Sequence, residues 1–142
     1  MPRDHRTVGV LCVDDNSHVA DALKLKLSRL PPFVWRGWLP NASLLVETAM
    51  NVCPEVILLD LDMPGRDPFA ALAELVERCA DSRVVVFSGH VEPELIDRAL
   101  QAGAWGYASK NDGEEALIKV MKAVVDSQVA FSPEVRATYN TR

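Results

Sequence analysis

"VILLDLDMPG", residues 56–65, sets four apolar residues directly against two aspartates, Asp60 and Asp62, and then breaks at Pro64-Gly65. A short, unbroken apolar run closed by a turn signal reads as a strand buried on both faces. Strands of that kind belong to parallel sheets with helices on each side. In an open sheet of this type the ligand crevice lies beyond the carboxyl ends of the strands. Asp60 therefore falls where the strand stops and a crevice begins.

The same grammar recurs on either side. Strand-like runs occur at "TVGVLCV" (7–13), "FVWRGW" (33–38), "EVILL" (55–59), "RVVVFS" (83–88) and "WGYAS" (105–109). Helical patterns separate them. The first places Val19, Leu23, Leu27 and Leu30 on one stripe, with Lys24 and Lys26 turned away. The second covers 42–51, the third 69–80, and the fourth 93–102, stopping at Gly103. A fifth repeats apolar residues at Leu117, Val120, Met121 and Val124. Strict alternation of strand and helix implies a parallel sheet wrapped on both faces. Right-handed crossovers leave few topologies, and a doubly wound α/β sheet of five parallel strands is the leading one.

Composition agrees with one globular domain. The chain has 142 residues, 49% apolar and 25% charged, enough hydrophobic material for a full core. A net charge of −5 argues against binding nucleic acid or an anionic membrane through the overall field. No apolar stretch approaches the length of a spanning helix, and the start, "MPRDHRTVGV", has no signal-peptide core. Cys12, Cys53 and Cys79 are odd in number and widely spaced, as are His5, His18 and His90. They offer neither a disulfide framework nor a zinc pattern, and they fit a reducing, cytoplasmic location.

If the sheet is doubly wound, the strand ends bring a particular set together. Strand one ends in Asp14-Asp15, strand three in Asp60, strand four in Ser88, and strand five in Ser109-Lys110. Asn16 and Ser17 read more simply as caps of the first helix. Three crowded carboxylates repel one another and call for neutralisation. An all-oxygen cluster suits a hard cation, and Mg²⁺ takes one or two carboxylates together with phosphate oxygens. Lys110 can pair with a phosphate oxygen and Ser88 can donate to another. A carboxylate can act as nucleophile and carry an acyl phosphate. Asp60, ending a buried strand, is the more rigidly held candidate.

These residues resemble a known family. "LCVDDN", "VILLDLDMPG", "VVVFSGH" and "GAWGYASKN", in that order, are similar to the receiver domain of two-component response regulators across residues 7–131. The resemblance implies a flavodoxin-like (βα)5 fold with strand order 2-1-3-4-5 and a Mg²⁺ (or Mn²⁺)-dependent transfer of a phosphoryl group from a sensor histidine kinase to Asp60. It implies metal ligation by Asp14, Asp15 and Asp60 and by the backbone carbonyl of Asp62. Ser88 and Tyr107 match the switch pair, with the Tyr107 ring following the Ser88 hydroxyl inward. The output surface, and a homodimer interface, would be the helix4–strand5–helix5 face, where Leu95, Ile96, Ala99 and Leu100 form two apolar stripes.

Departures from the family pattern are visible. Asn111 follows Lys110 where many receivers have a proline, which leans toward the subfamily with helix-turn-helix output. Gly89 replaces a commoner alanine and loosens the switch loop. Residues 1–131 are expected to be the receiver, and 132–142, "SPEVRATYNTR", a tail leading toward an output domain. A stand-alone receiver acting through protein contacts is the alternative. A haloacid-dehalogenase-like phosphatase is a remote one, because its DxD motif stands near the start of the chain.

Overall fold

A computed structural model describes residues 6–140; His5 and residues 141–142 lie outside the described residues. The elements run β1 (Val8–Val13), α1 (Ser17–Leu27), β2 (Phe33–Leu39), α2 (Leu45–Val52), β3 (Val56–Leu59), α3 (Pro68–Arg78), β4 (Arg83–Ser88), α4 (Pro93–Ala102), β5 (Gly106–Ser109), α5 (Gly113–Val125), β6 (Ala130–Phe131) and α6 (Pro133–Asn140). All strands pair in parallel, in the order β2-β1-β3-β4-β5-β6. The expected order of the first five holds. The addition is β6, a two-residue strand that extends the sheet beyond β5.

The period-2 alternation of side chains divides the core in two. Ile57 and Leu59 of β3 face one side with Val13, Leu45, Leu72, Val84, Ile96 and Tyr107. Val56 and Leu58 face the other with Val10, Leu23, Leu27, Val85, Leu117 and Met121. Each face of the sheet is thus sealed, α2, α3 and α4 on one side and α1 and α5 on the other. That is why β1 and β3 are apolar at every position.

Helix ends follow local chemistry. The Asn16 side chain accepts from the His18 N–H and caps α1, and Asp67 does the same for α3 through Phe69. Pro68 and Pro93 sit in the first turns of α3 and α4, where a missing N–H costs nothing. Gly103 closes α4 with φ +109. The α2 helix begins at Leu45 rather than 42. The Asn41 side chain accepts from the Ser43 N–H at 2.9 Å and holds the preceding residues in a turn.

β2 is an edge strand whose register slips between Val10 and Leu11 of β1, leaving Arg36 as the extra residue and Gly37 at φ +146. The bulge re-aims Trp38 toward the crevice end of the sheet. The α4 stripes are largely covered: Ile96 and Ala99 are buried and Leu95 and Leu100 half-buried. Val135 of α6 is fully buried in the same core cluster.

Candidate functional site

The chain reverses its direction of growth across the sheet between β1 and β3, which opens a crevice at their carboxyl ends. Both aspartate-bearing ends are pinned by the ladder one residue past the strands. The Asp14 N–H donates to the Leu39 carbonyl at 3.0 Å, and the Asp60 N–H donates to the Val13 carbonyl at 2.9 Å. Asp14 and Asp60 are buried, at 2% and 5% exposure, while Asp15 is open to solvent. Each of the three offers a carboxylate oxygen lying within 4.8 Å of the others.

Lys110 reaches into this cluster from the far end of β5. Its ammonium is 2.7 Å from Asp14 Oδ2 and 3.4 Å from Asp60 Oδ2. One ammonium against three carboxylates leaves negative charge uncompensated, and the groups respond. Burial pushes the Asp60 carboxyl above its usual range; Lys110 opposes that and Asp14 adds to it. Burial by itself would pull the Lys110 ammonium down. The hydrogen bond to Asp14 and the charges of Asp60 and Asp14 outweigh it and hold Lys110 above its usual range. The donor set is all oxygen, electron-rich and short of cations, so it fits a divalent ion such as Mg²⁺.

Ser88 and Tyr107 converge on the main chain of one residue, His90. The buried Ser88 hydroxyl accepts the His90 N–H at 3.0 Å, and the Tyr107 hydroxyl donates to the His90 carbonyl. Tyr107 is fully buried, so its ring already lies inward. Asp62 is exposed; its N–H approaches Asp60 Oδ1 at 3.4 Å, and its carboxylate is 3.5 Å from His90 Nε2. The site thus gathers Asp14, Asp15, Asp60 and Lys110 at one end of the sheet, with Ser88 and Tyr107 joined to each other through His90.

Trp38 was not among the expected site residues. Its indole N–H donates to the Asp14 carbonyl at 2.6 Å and braces the acidic loop from the edge strand. Its signal in the sequence is an aromatic just past Arg36-Gly37, where the strand pattern is interrupted. A recess of about 1240 Å³ lies at the opposite end of the sheet, bordered by Arg6, Cys53, Cys79 and Arg83, and takes no part in this geometry.

Comparison with known proteins agrees with this architecture. The family profile described as response regulator receiver domain matches residues 10–122. The chain belongs to the response regulator receiver domain family. It is 32% identical over 123 residues to the nitrate/nitrite response regulator protein NarL of Escherichia coli, covering 87% of this chain and 57% of that protein. It is 29% identical over 126 residues to the transcriptional regulatory protein YdfI of Bacillus subtilis, covering 89% of this chain and 59% of that one. The chain therefore spans less than two thirds of the length of these relatives. Among solved structures, a two-component response regulator of the LuxR family from Aurantimonas sp. superposes with a TM-score of 0.89 at 21% identity, covering 95% of this chain and 96% of that chain. The isolated receiver domain of RcsB from Salmonella enterica serovar Typhimurium superposes with a TM-score of 0.85 at 17% identity, covering 94% and 99%. At those identities the two structures bear on fold alone.

Proposed function

We propose that Asp60 accepts a phosphoryl group from the phosphohistidine of a sensor kinase and that the resulting charge resets Ser88, Tyr107 and the α4–β5–α5 face. The observation carrying this reading is the Lys110 ammonium lying between Asp14 and Asp60 inside a cluster of three carboxylates. Asp14, Asp15 and Asp60, with the main-chain carbonyl of Asp62, would hold Mg²⁺ or Mn²⁺. When bound, the ion supplies neutralisation of charge on the transferring phosphoryl group.

The chain's own residues account for the rest. An Asp60 carboxylate oxygen forms a bond to phosphorus as the P–N bond breaks, and the electron pair leaves with the imidazole. Lys110 exchanges a carboxylate contact for a phosphoryl oxygen, and the Ser88 hydroxyl donates to another. Moving Ser88 releases the His90 N–H and disturbs the residue whose carbonyl holds the Tyr107 hydroxyl, so the local charge change is passed to β5. The buried Tyr107 ring has an acceptor for its hydroxyl in the His90 carbonyl, which supports an inward position as one of the two arrangements of the switch.

Relatives named as response regulators and transcriptional regulators support a cytoplasmic signalling role in which a separate helix-turn-helix domain reads the receiver's state. A second copy meeting the exposed remainder of the α4–β5–α5 face is the assembly proposed for it. None of the described helices is long and apolar enough to cross a membrane.

The test is direct. Acetyl phosphate with Mg²⁺ should add one alkali-labile phosphoryl group, seen by intact mass. Asp60→Asn should abolish the adduct, and labelling that persists in this variant removes Asp60 as the acceptor.

A further inference from the structure

Lys110 does not stand on a free loop. β5 ends at Ser109, and Lys110–Asp112 form a single 3-10 turn before α5 begins at Gly113. The C-terminal segment encloses this turn with polar groups. The Ser109 N–H donates to the Ser132 hydroxyl at 2.8 Å. The Ser109 hydroxyl donates to Glu134 Oε1, and the Asn111 side-chain amide donates to the same oxygen at 3.2 Å. The Glu134 N–H returns a bond to Asp112 Oδ2 at 2.8 Å. Residues 109, 111 and 112 are therefore all held by 132–134, while Lys110 is left to face the acids.

The anchoring is not superficial. Ser109 and Ser132 are buried. Upstream, the Ser132 N–H donates to the Tyr107 carbonyl at 3.1 Å, so the same segment borders the strand that carries Tyr107. Downstream, Val135 is fully buried in the cluster that holds Ile96, Ala99 and Tyr107, and this apolar burial fixes α6 against the sheet. Within the turn the Asn111 N–H donates to the Ser109 hydroxyl at 3.0 Å and the Gly113 N–H to the Lys110 carbonyl. Ser132 and Glu134 add the bonds that tie it to the rest of the molecule.

We infer that Ser132 and Glu134 are positioning residues for Lys110, and that the same contacts report phosphorylation of Asp60 to α6. The inference rests on the reading of Asp60 as acceptor and Lys110 as its phosphoryl partner. When Lys110 shifts toward a phosphoryl oxygen, Ser109, Asn111 and Asp112 shift with it, and Glu134 is the group they pull on. Coupling between two sites is reciprocal. A clasp that favours the phosphoryl-bound position of Lys110 must itself tighten on phosphorylation.

The experiment follows phosphorylation of the full 142-residue chain by acetyl phosphate at saturating Mg²⁺ in the wild type, Glu134→Ala, Glu134→Gln, Ser132→Ala, Lys110→Ala and Lys110→Ala/Glu134→Ala. Glu134→Ala and Ser132→Ala should each slow labelling by at least about fivefold, the lower end of ordinary coupling between sites. Mg²⁺ affinity, read from tryptophan fluorescence, should be unchanged because the proposed ligands are untouched. Glu134→Gln keeps an acceptor oxygen and should recover most of the rate. The double variant should be no slower than Lys110→Ala, since Glu134 acts through Lys110. Beryllofluoride should slow amide exchange across 132–137 in the wild type and leave it unchanged in Glu134→Ala. A wild type that labels beside a Glu134→Ala that labels equally fast overturns the inference alone, as does a further loss in the double variant. A wild type that takes no phosphoryl group overturns the acceptor reading, and the inference falls with it.

Discussion

Asp60 carries a conflict that a sequence cannot display: it is buried, flanked by Asp14, and relieved chiefly by a lysine it shares. Its carboxyl is held above the usual range, so the folded chain keeps a proton that the unfolded chain gives up more readily. Stability of the ion-free protein therefore falls as pH rises from the ordinary carboxylate range through the folded value of Asp60. At neutral pH with a chelator present, Asp60→Asn should raise the melting temperature, by roughly 4 °C for each kcal/mol relieved. A lowered melting temperature would mean that the Lys110 pairing outweighs burial. Cys12 gives a second check at this scale. Burial first, and then the Asp14 charge, push its thiol up to about 12, whereas Cys53 is exposed. Since the thiolate is the reactive form, iodoacetamide near neutrality should modify Cys53 in the native protein and Cys12 only after unfolding, as read by peptide mass. The acids, Ser88 and Lys110 were legible because each ends an apolar run. Trp38 and Glu134 were not: one serves a main-chain carbonyl and the other a turn more than twenty residues away in sequence.

At the level of elements, legibility followed the length of the repeating pattern. β1, β3 and β4 are continuous apolar runs, so their places were predictable within a residue or two, and α1 and α5 carry clear stripes, although α1 ends at Leu27 and Leu30 packs from the turn beyond it. β6 has two residues and no period to read, and α6 hides its one fully buried residue, Val135, within a polar octapeptide. Most of the expected tail is therefore the packed helix α6, with β6 closing the segment just before it. The two glycines flanking α4 show what a pattern alone cannot weigh. Gly103 has φ +109, and a Cβ there would lie 2.4 Å from Val76 Cγ2, so both backbone and packing oppose substitution. Gly89, expected to loosen the switch loop, has nothing within 4 Å of an added Cβ and no positive φ. Gly103→Ala should lower stability by more than about 1 kcal/mol, while Gly89→Ala should raise it by about 0.4–1 kcal/mol through the unfolded state. Urea midpoints for the two variants test this contrast, and equal shifts would contradict it.

For the whole molecule, the site is a consequence of topology. The order β2-β1-β3 places the ends of β1 and β3 side by side, so two separately encoded acidic stretches meet only after the sheet has formed. Handedness rules made that meeting foreseeable from the alternation of strands and helices, whereas the edge bulge in β2 and the C-terminal clasp depended on contacts those rules do not address. Gathering acids in this way costs stability in the ion-free state, and a cation that binds only the folded arrangement returns it. If Mg²⁺ is held by Asp14, Asp15 and Asp60, then Mg²⁺ at a hundred times its Kd should stabilise the fold by about 2.7 kcal/mol. That is a rise of roughly 10 °C in melting temperature for a chain of this size. Asp15→Ala should lose most of this rise at the same Mg²⁺ concentration while leaving the ion-free melting temperature nearly unchanged, because Asp15 is exposed and takes no part in the core. Asp60→Asn should start higher and gain less, so the two melting curves converge as Mg²⁺ is added. Parallel titrations of wild type and both variants would place the ion elsewhere.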